Sequence, residues 1–304
     1  MFCYEGEKAL AGGYKRDLLT EEQVRPFVEN VLCIKRKQQV NQAVLLIKRS
    51  EIWMERYREN STLNSKKDWI PPFNTNDTRE NLRKRIVQEL YDFERMPNDD
   101  RTRLGLGGAK PIGKEPRKDQ TVYITIGLPA SGKSNVANKI ADYTASYLID
   151  SDLAKRKLPE YKNDGGASLV HEESSEIADM LLTECTKGKF NMVVPRIGND
   201  YASIRAYCEA FVVMNYNVYL VLVELDRQYA TIRAYNRYIE TKRYVPLSLI
   251  YDSYINDSTL TFYRMKQQSQ DLLNGYLHLN NEVPKGNPPR IIESYNMDDI
   301  GSLF

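Results

Sequence analysis

Histidine is nearly missing: His171 and His278 are the only two in 304 residues. The thiols are Cys3, Cys33, Cys185 and Cys208, with no C-x-x-C pair among them. Neither a zinc site nor a disulfide framework is supported, and scattered reduced thiols are expected. No apolar run approaches the length that spans a bilayer, and Met1-Phe-Cys-Tyr-Glu-Gly-Glu7 lacks the basic and apolar parts of a secretory signal. The chain therefore reads as cytoplasmic, or as delivered into the cytosol of a target cell, with no membrane partner. An excess of one charge is also lacking: 43 Lys and Arg against 41 Asp and Glu leave +2. That balance argues against a nucleic-acid coat, so any phosphate binding must be local.

What is present is an ordinary globular composition, 41% hydrophobic and 28% charged, on a chain long enough for one large α/β domain and a smaller appendage. Val24, Phe27, Val28, Val31 and Leu32 recur at helical steps, as do Leu82, Ile86, Leu90 and Phe93. Between them, Asn60 to Asp77 is rich in Asn, Thr, Ser and Pro and reads as a loop. Gly105, Gly107, Gly108, Pro111, Gly113 and Pro116 break the stretch from Pro97 to Gln120, where the pattern places a boundary between a helical region, residues 1–115, and a second domain, 116–304. From Thr121 onward, strand-like runs at 121–126, 147–149, 191–194 and 218–225 alternate with helical stretches at about 133–146, 168–187, 200–214 and 227–239. This alternation predicts a P-loop NTPase-type α/β fold, a parallel sheet covered by helices on both faces, with the helical region preceding it.

Gly127-Leu-Pro-Ala-Ser-Gly-Lys-Ser134 fits G-x-x-x-x-G-K-S and follows a strong strand at the start of a helix. In that setting the backbone of Gly127, Ala130, Ser131 and Gly132 would cradle phosphates, Lys133 would reach the β- and γ-phosphates of ATP, and the Ser134 hydroxyl would ligate Mg²⁺. An ordinary glycine-rich turn is the bland alternative. Asp150 and Asp152 stand at the carboxyl end of the next strand, the edge where α/β sheets bind ligands. Asp152 is the candidate general base and Asp150 a metal-side or structural acid. Asp152 could instead cap the helix beginning near Leu153. Arg233 and Arg237 project from one helical face, followed by Arg243, and together suit a lid over transferring phosphate. A solvated charged face is the competing reading.

These residues resemble the zeta toxin group of P-loop kinases and, more distantly, the phage polynucleotide 5'-kinase. The likeness covers about Thr121 to Asp252 and rests on five stretches: Gly127–Ser134, Leu148–Tyr161, Val170–Ala178, Gly188–Val194 and Arg237 to Pro246. It implies an ATP- and Mg²⁺-dependent kinase acting on a sugar hydroxyl of UDP-N-acetylglucosamine, held inactive by an antitoxin or chaperone-like protein. Asp152 then matches the family's base, and Glu173 or Glu172 its substrate-contacting acid. The family's acid-Gly-Thr after the third strand is replaced here by Pro195-Arg-Ile-Gly198. An arginine suits phosphate better than a sugar hydroxyl, so Arg196 makes a dinucleotide such as NAD a rival acceptor. A polynucleotide 5'-kinase gripping phosphate through Arg196 and Lys155 is a further alternative, disfavoured by the near-neutral charge. A nucleotide-gated binding module is the non-enzymatic one, although it gives Asp152 and the arginines no role.

Overall fold

The computed structural model of the chain describes residues 16–57, 61–162, 166–284 and 286–304. Cys3, the N-terminal segment read for a signal, and Asn60 lie outside the described residues. The first described helix starts at a capping box: the Thr20 hydroxyl accepts from the Gln23 amide, and the Gln23 side chain accepts from the Thr20 amide. Helix α1, Glu21–Asn30, buries Val24, Phe27 and Val28. Helix α2, Lys37–Tyr57, buries Val40, Ala43, Val44 and Ile47 at the three- and four-residue steps of one helical face. Helix α3, Asn76–Asp92, is capped by Thr75 and buries Leu82, Ile86 and Leu90. Each such side chain contributes roughly 1.5–3 kcal/mol on burial, so a charge at Ile86 would detach α3 from its neighbours.

The sheet begins with β1, Thr121–Ile126, and the phosphate-binding loop leads into α4, Lys133–Tyr143. Short elements follow: β2, Tyr147–Leu148; α5, Ser151–Lys155; and α6, Gly166–Leu169. The remaining order is α7, His171–Lys187; β3, Met192–Arg196; α8, Tyr201–Val213; β4, Asn217–Glu224; and α9, Arg227–Thr241. The chain ends in α10, Asp257–Gln268; β5, Gly275–Asn280; β6, Arg290–Tyr295; and α11, Asp298–Gly301.

Strand order is β2-β3-β1-β4-β5-β6. All neighbours are parallel except β5 and β6, so the expected parallel sheet acquires one antiparallel edge. The connection of residues 281–289 is too short for the dozen or more residues of a parallel crossover. Val218, Leu220 and Leu222 face one side of β4, Val221 and Val223 the other, and all five are buried. Helices therefore cover both faces of the sheet. One apolar cluster joins α3 to the sheet and to α4, α7 and α10. A second joins α1 and α2 to Leu128 of the phosphate-binding loop, to Ala230, Ala234 and Tyr235 of α9, and to Leu247 and Ile250. Among the described residues no helix is long and apolar enough to cross a membrane.

Candidate active site

The connection after β1 runs toward β2 and β3, and that after β4 runs to β5. Loops leaving these two neighbouring strands diverge, and the crevice between them is where α/β sheets place ligands. Gly127 stands at the end of β1 with φ 156°, and a Cβ there would lie 2.5 Å from the Val223 carbonyl oxygen. Gly132 has φ 93°, and its Cβ would lie 2.2 Å from Nδ2 of Asn281. Only glycine permits the loop to pass so close to β4 and to the chain beyond β5. Asn281 in turn donates to the Ser131 carbonyl at 2.6 Å, which fixes the loop from outside. Ser131 is fully buried behind the loop and does not line the cleft. Lys133 folds back and donates to the Gly127 carbonyl at 2.6 Å, while Ala130 (φ 63°) and the exposed Ser134 face the opening.

The crevice is a cleft of about 2910 Å³, well beyond the 300–1,000 Å³ usual for one small ligand. Lys133 and Ser134 line it, as do Asp150, Asp152, Arg196, Arg233, Arg237 and Arg243. The N-terminal helical region adds a wall of its own through Gln39, Gln42, Glu51 and Met54 of α2.

Asp150, and not Asp152, caps α5: its Oδ1 accepts from the Asp152 amide at 2.9 Å. The alternative reading of Asp152 as a cap is corrected, because the helix starts one residue after Asp150 and already includes Asp152. Relieved of capping, the Asp152 carboxylate accepts from Lys155 at 3.2 Å and pairs with Arg243, its side chain 27% exposed to the cleft. Burial opposes ionisation, but Lys155, Arg243 and Arg156 hold the Asp152 carboxyl well below the usual range. Burial and the neighbouring Asp152 charge push Asp150 the other way. The Lys155 ammonium, aided by burial, holds His171 down to about 4, so its neutral Nδ1 accepts from Lys155 at 3.3 Å.

Arg237 is partly buried in the cleft wall, and its Nε has no partner among the described residues. Burial and the nearby Arg243 charge lower its pKa. Arg233 spends one amino group on the Asn281 and Val283 carbonyls, at 3.0 and 2.9 Å. It thereby braces the 281–284 segment beside the phosphate-binding loop. Arg196 ends β3, stacks over Tyr207 at 4.9 Å and approaches Asp179 at 3.7 Å. Glu172 lines the cleft and accepts from Asn64 at 3.1 Å.

Glu173 is the clear correction. Of the two candidates for a substrate-contacting acid, Glu172 and Glu173, the second is fully buried away from the cleft, accepting from Arg79 at 2.7 and 2.5 Å and from Arg83 at 2.8 Å. A signal existed: Glu173 lies four residues before Ile177 and eight before Leu181, on the apolar stripe of α7. Sequence reasoning missed Asn281, Glu51 and Tyr244. Asp179 was detectable, since Glu172, Ser175, Glu176 and Asp179 form a polar helical stripe.

A phosphate-binding loop after the central strand of such a sheet defines a P-loop kinase-like protein. More narrowly, the chain belongs to the zeta toxin family, whose characteristic region matches residues 108–272. Similar solved structures include one from a study of the PezAT chromosomal toxin-antitoxin system of Streptococcus pneumoniae. That structure is 14% identical, with 76% of this chain and 87% of that chain covered and a TM-score of 0.48. The AvrRxo1-ORF1:-ORF2 complex in its native form is 15% identical, covering 79% and 71%, with a TM-score of 0.49. The same complex with ATP is 16% identical, covering 76% and 70%, at 0.49. No curated protein matches the chain.

Proposed function

We propose that this protein is a cytoplasmic kinase that transfers the γ-phosphate of ATP to a hydroxyl of a nucleotide-linked small molecule, with UDP-N-acetylglucosamine as the acceptor. The observation that carries the reading is that one cleft is lined both by Lys133 and Ser134 and by Asp152, Arg237 and Arg243. Lys133 leaves the Gly127 carbonyl to meet the β- and γ-phosphates, and the loop amides orient them. Asp152 accepts the acceptor's hydroxyl proton at a carboxylate oxygen. Arg237, whose Nε has no hydrogen-bond partner among the described residues, and Arg243 face the charge that develops on the transferring oxygens.

Among the described residues no three or more His, Cys, Asp or Glu side chains are arranged to hold a metal ion. Mg²⁺ does not need such a cage, because it binds through one or two carboxylates together with substrate phosphates and water. Ser134 and Asp150 fit that donor set and would hold it, and the ion would neutralise phosphate charge. In this reading residues 116–304 form the kinase domain, residues 1–115 supply one wall of its cleft, and a protein inhibitor of antitoxin type restrains it.

Arg196 favours a second acceptor, NAD, because the guanidinium stands in the cleft where the family places a carboxylate, and phosphate is its natural ligand. Incubating the protein with γ-labelled ATP and UDP-sugars, NAD and 5'-hydroxyl oligonucleotides tests both readings. Label on UDP-N-acetylglucosamine supports the first and label on NAD the second. Label on the oligonucleotide, or on no acceptor, overturns the assignment to small molecules.

A further inference from the structure

Arg243 reaches Asp152 from a segment with little structure of its own. Helix α9 ends at Lys242, whose φ of 61° turns the chain out of the helix, and residues 242–246 have no regular structure. The main chain of this segment is tied at the start, where the Lys242 amide donates to the Tyr238 carbonyl and the Arg243 amide to the Thr241 hydroxyl, and beyond that point the segment is placed by its side chains. Two consecutive ones are anchored: Arg243 pairs with Asp152 of α5, and the Tyr244 hydroxyl donates to Glu51 Oε1 of α2 at 2.6 Å. Glu51 is 4% exposed, so the Tyr244 bond is made where water competes little. Burial and the Glu51 carboxylate push the Tyr244 phenol well above its ordinary value, which keeps the donating proton in place. The Tyr244 ring also meets Tyr238 edge-on at 5.0 Å, and the Tyr238 hydroxyl accepts from Ser50 Oγ of α2 at 2.8 Å. The lid segment is thus strung between two carboxylates, one on the N-terminal helix and one in the reaction cleft.

We propose that Glu51 is a positioning residue, which through Tyr244 fixes the 242–246 segment so that Arg243 stays on Asp152. The N-terminal helices then control the alignment of the base. Cutting the strut lets Arg243 swing away from Asp152 while both side chains are kept. The inference rests on the reading of Asp152 as the base, and its test uses neither nucleotide nor acceptor, so a failed transfer assay leaves the outcome readable.

The test is the hydrogen-exchange rate of the Arg243 guanidinium, followed by NMR in the full chain labelled with ¹⁵N-arginine, with Arg243→Lys identifying the signal. Tyr244→Phe and Glu51→Leu should exchange at least on the order of tenfold faster, the factor implied by losing one charge-assisted hydrogen bond. Glu51→Gln keeps an acceptor oxygen for Tyr244 and should restore slow exchange. Arg16→Gln serves as the control. It cuts a different tie of the N-terminal region, the paired contact of Arg16 with Asp252 at 2.8 Å, and should leave Arg243 unchanged. Unaltered exchange in Tyr244→Phe overturns the proposal. Equal acceleration in Arg16→Gln also overturns it, because that result would mean general loosening and no strut.

Discussion

Arg79 of α3 reaches the first turn of α7 and grips both carboxylate oxygens of Glu173, at 2.7 and 2.5 Å. Its remaining amino group donates to Glu160 at 2.8 Å, and all three side chains are at most 1% exposed. The cluster fastens α3 to the two segments that flank the Asp152 side of the cleft. Arg79→Ala leaves the buried Glu160 without its cation and Glu173 with Arg83 alone, and should cost about 3–5 kcal/mol, read from urea unfolding. The pH dependence has a definite sign. Burial works against the Glu173 charge, but Arg79 and Arg83 hold its pKa below the ordinary 4.5. Its stabilisation is therefore complete above that value and lost as pH falls through the lower folded one. Acid unfolding should lose this component in Glu173→Gln.

Lys133→Ala should lower phosphoryl transfer at least on the order of a hundredfold, because a charge that clamps the γ-phosphate is removed where water cannot replace it. Product formation from γ-labelled ATP checks this. Wild-type turnover in a folded mutant removes the phosphate-binding reading of Gly127 to Ser134.

Asp152→Asn should leave nucleotide binding intact and reduce transfer about 10²–10⁴-fold, since the amide cannot accept the proton. Thermal stability separates the two neighbouring acids. Asp150→Ala should lose about 1 kcal/mol with its cap, and Asp150→Asn should not, because asparagine caps equally well.

Arg196→Ala should raise the acceptor KM about tenfold to a hundredfold with much less effect on the KM for ATP. Steady-state kinetics with whichever acceptor takes the label decides the matter. An unchanged acceptor KM returns Arg196 to a local role with Tyr207 and Asp179.

The parts legible in the sequence are those written locally. The phosphate-binding loop, the strands at 121–126 and 218–225 and the helix beginning at Lys133 depend on neighbours within a few residues, and periodicity reports them. The strands Gly275–Asn280 and Arg290–Tyr295 were not read. The second is largely exposed and shows no inward stripe, and its pairing is set by its partner strand. Glu172 and Glu173 are adjacent and chemically alike, and the choice between cleft and interior is made by Arg79, 94 residues away. Asp150 and Asp152 differ only in which residue the helix begins after. The helix Lys37–Tyr57 is not among the helical patterns read from the sequence, and its tie to Tyr244 lies 193 residues from Glu51.

The region characteristic of the family stops at residue 272, yet the strand that completes the sheet and the Asn281 that steadies the phosphate-binding loop come after it. A fragment ending there would strip β4 of its partner from Tyr219 to Glu224, baring a long apolar main-chain edge of the kind that recruits other copies and aggregates. It would also release the Ser131 carbonyl from the amide that holds it. The stretch by which this chain declares its kinship is therefore not a portable part. Grafting experiments and chimeras will need to carry the C-terminal hairpin along with the loop it supports.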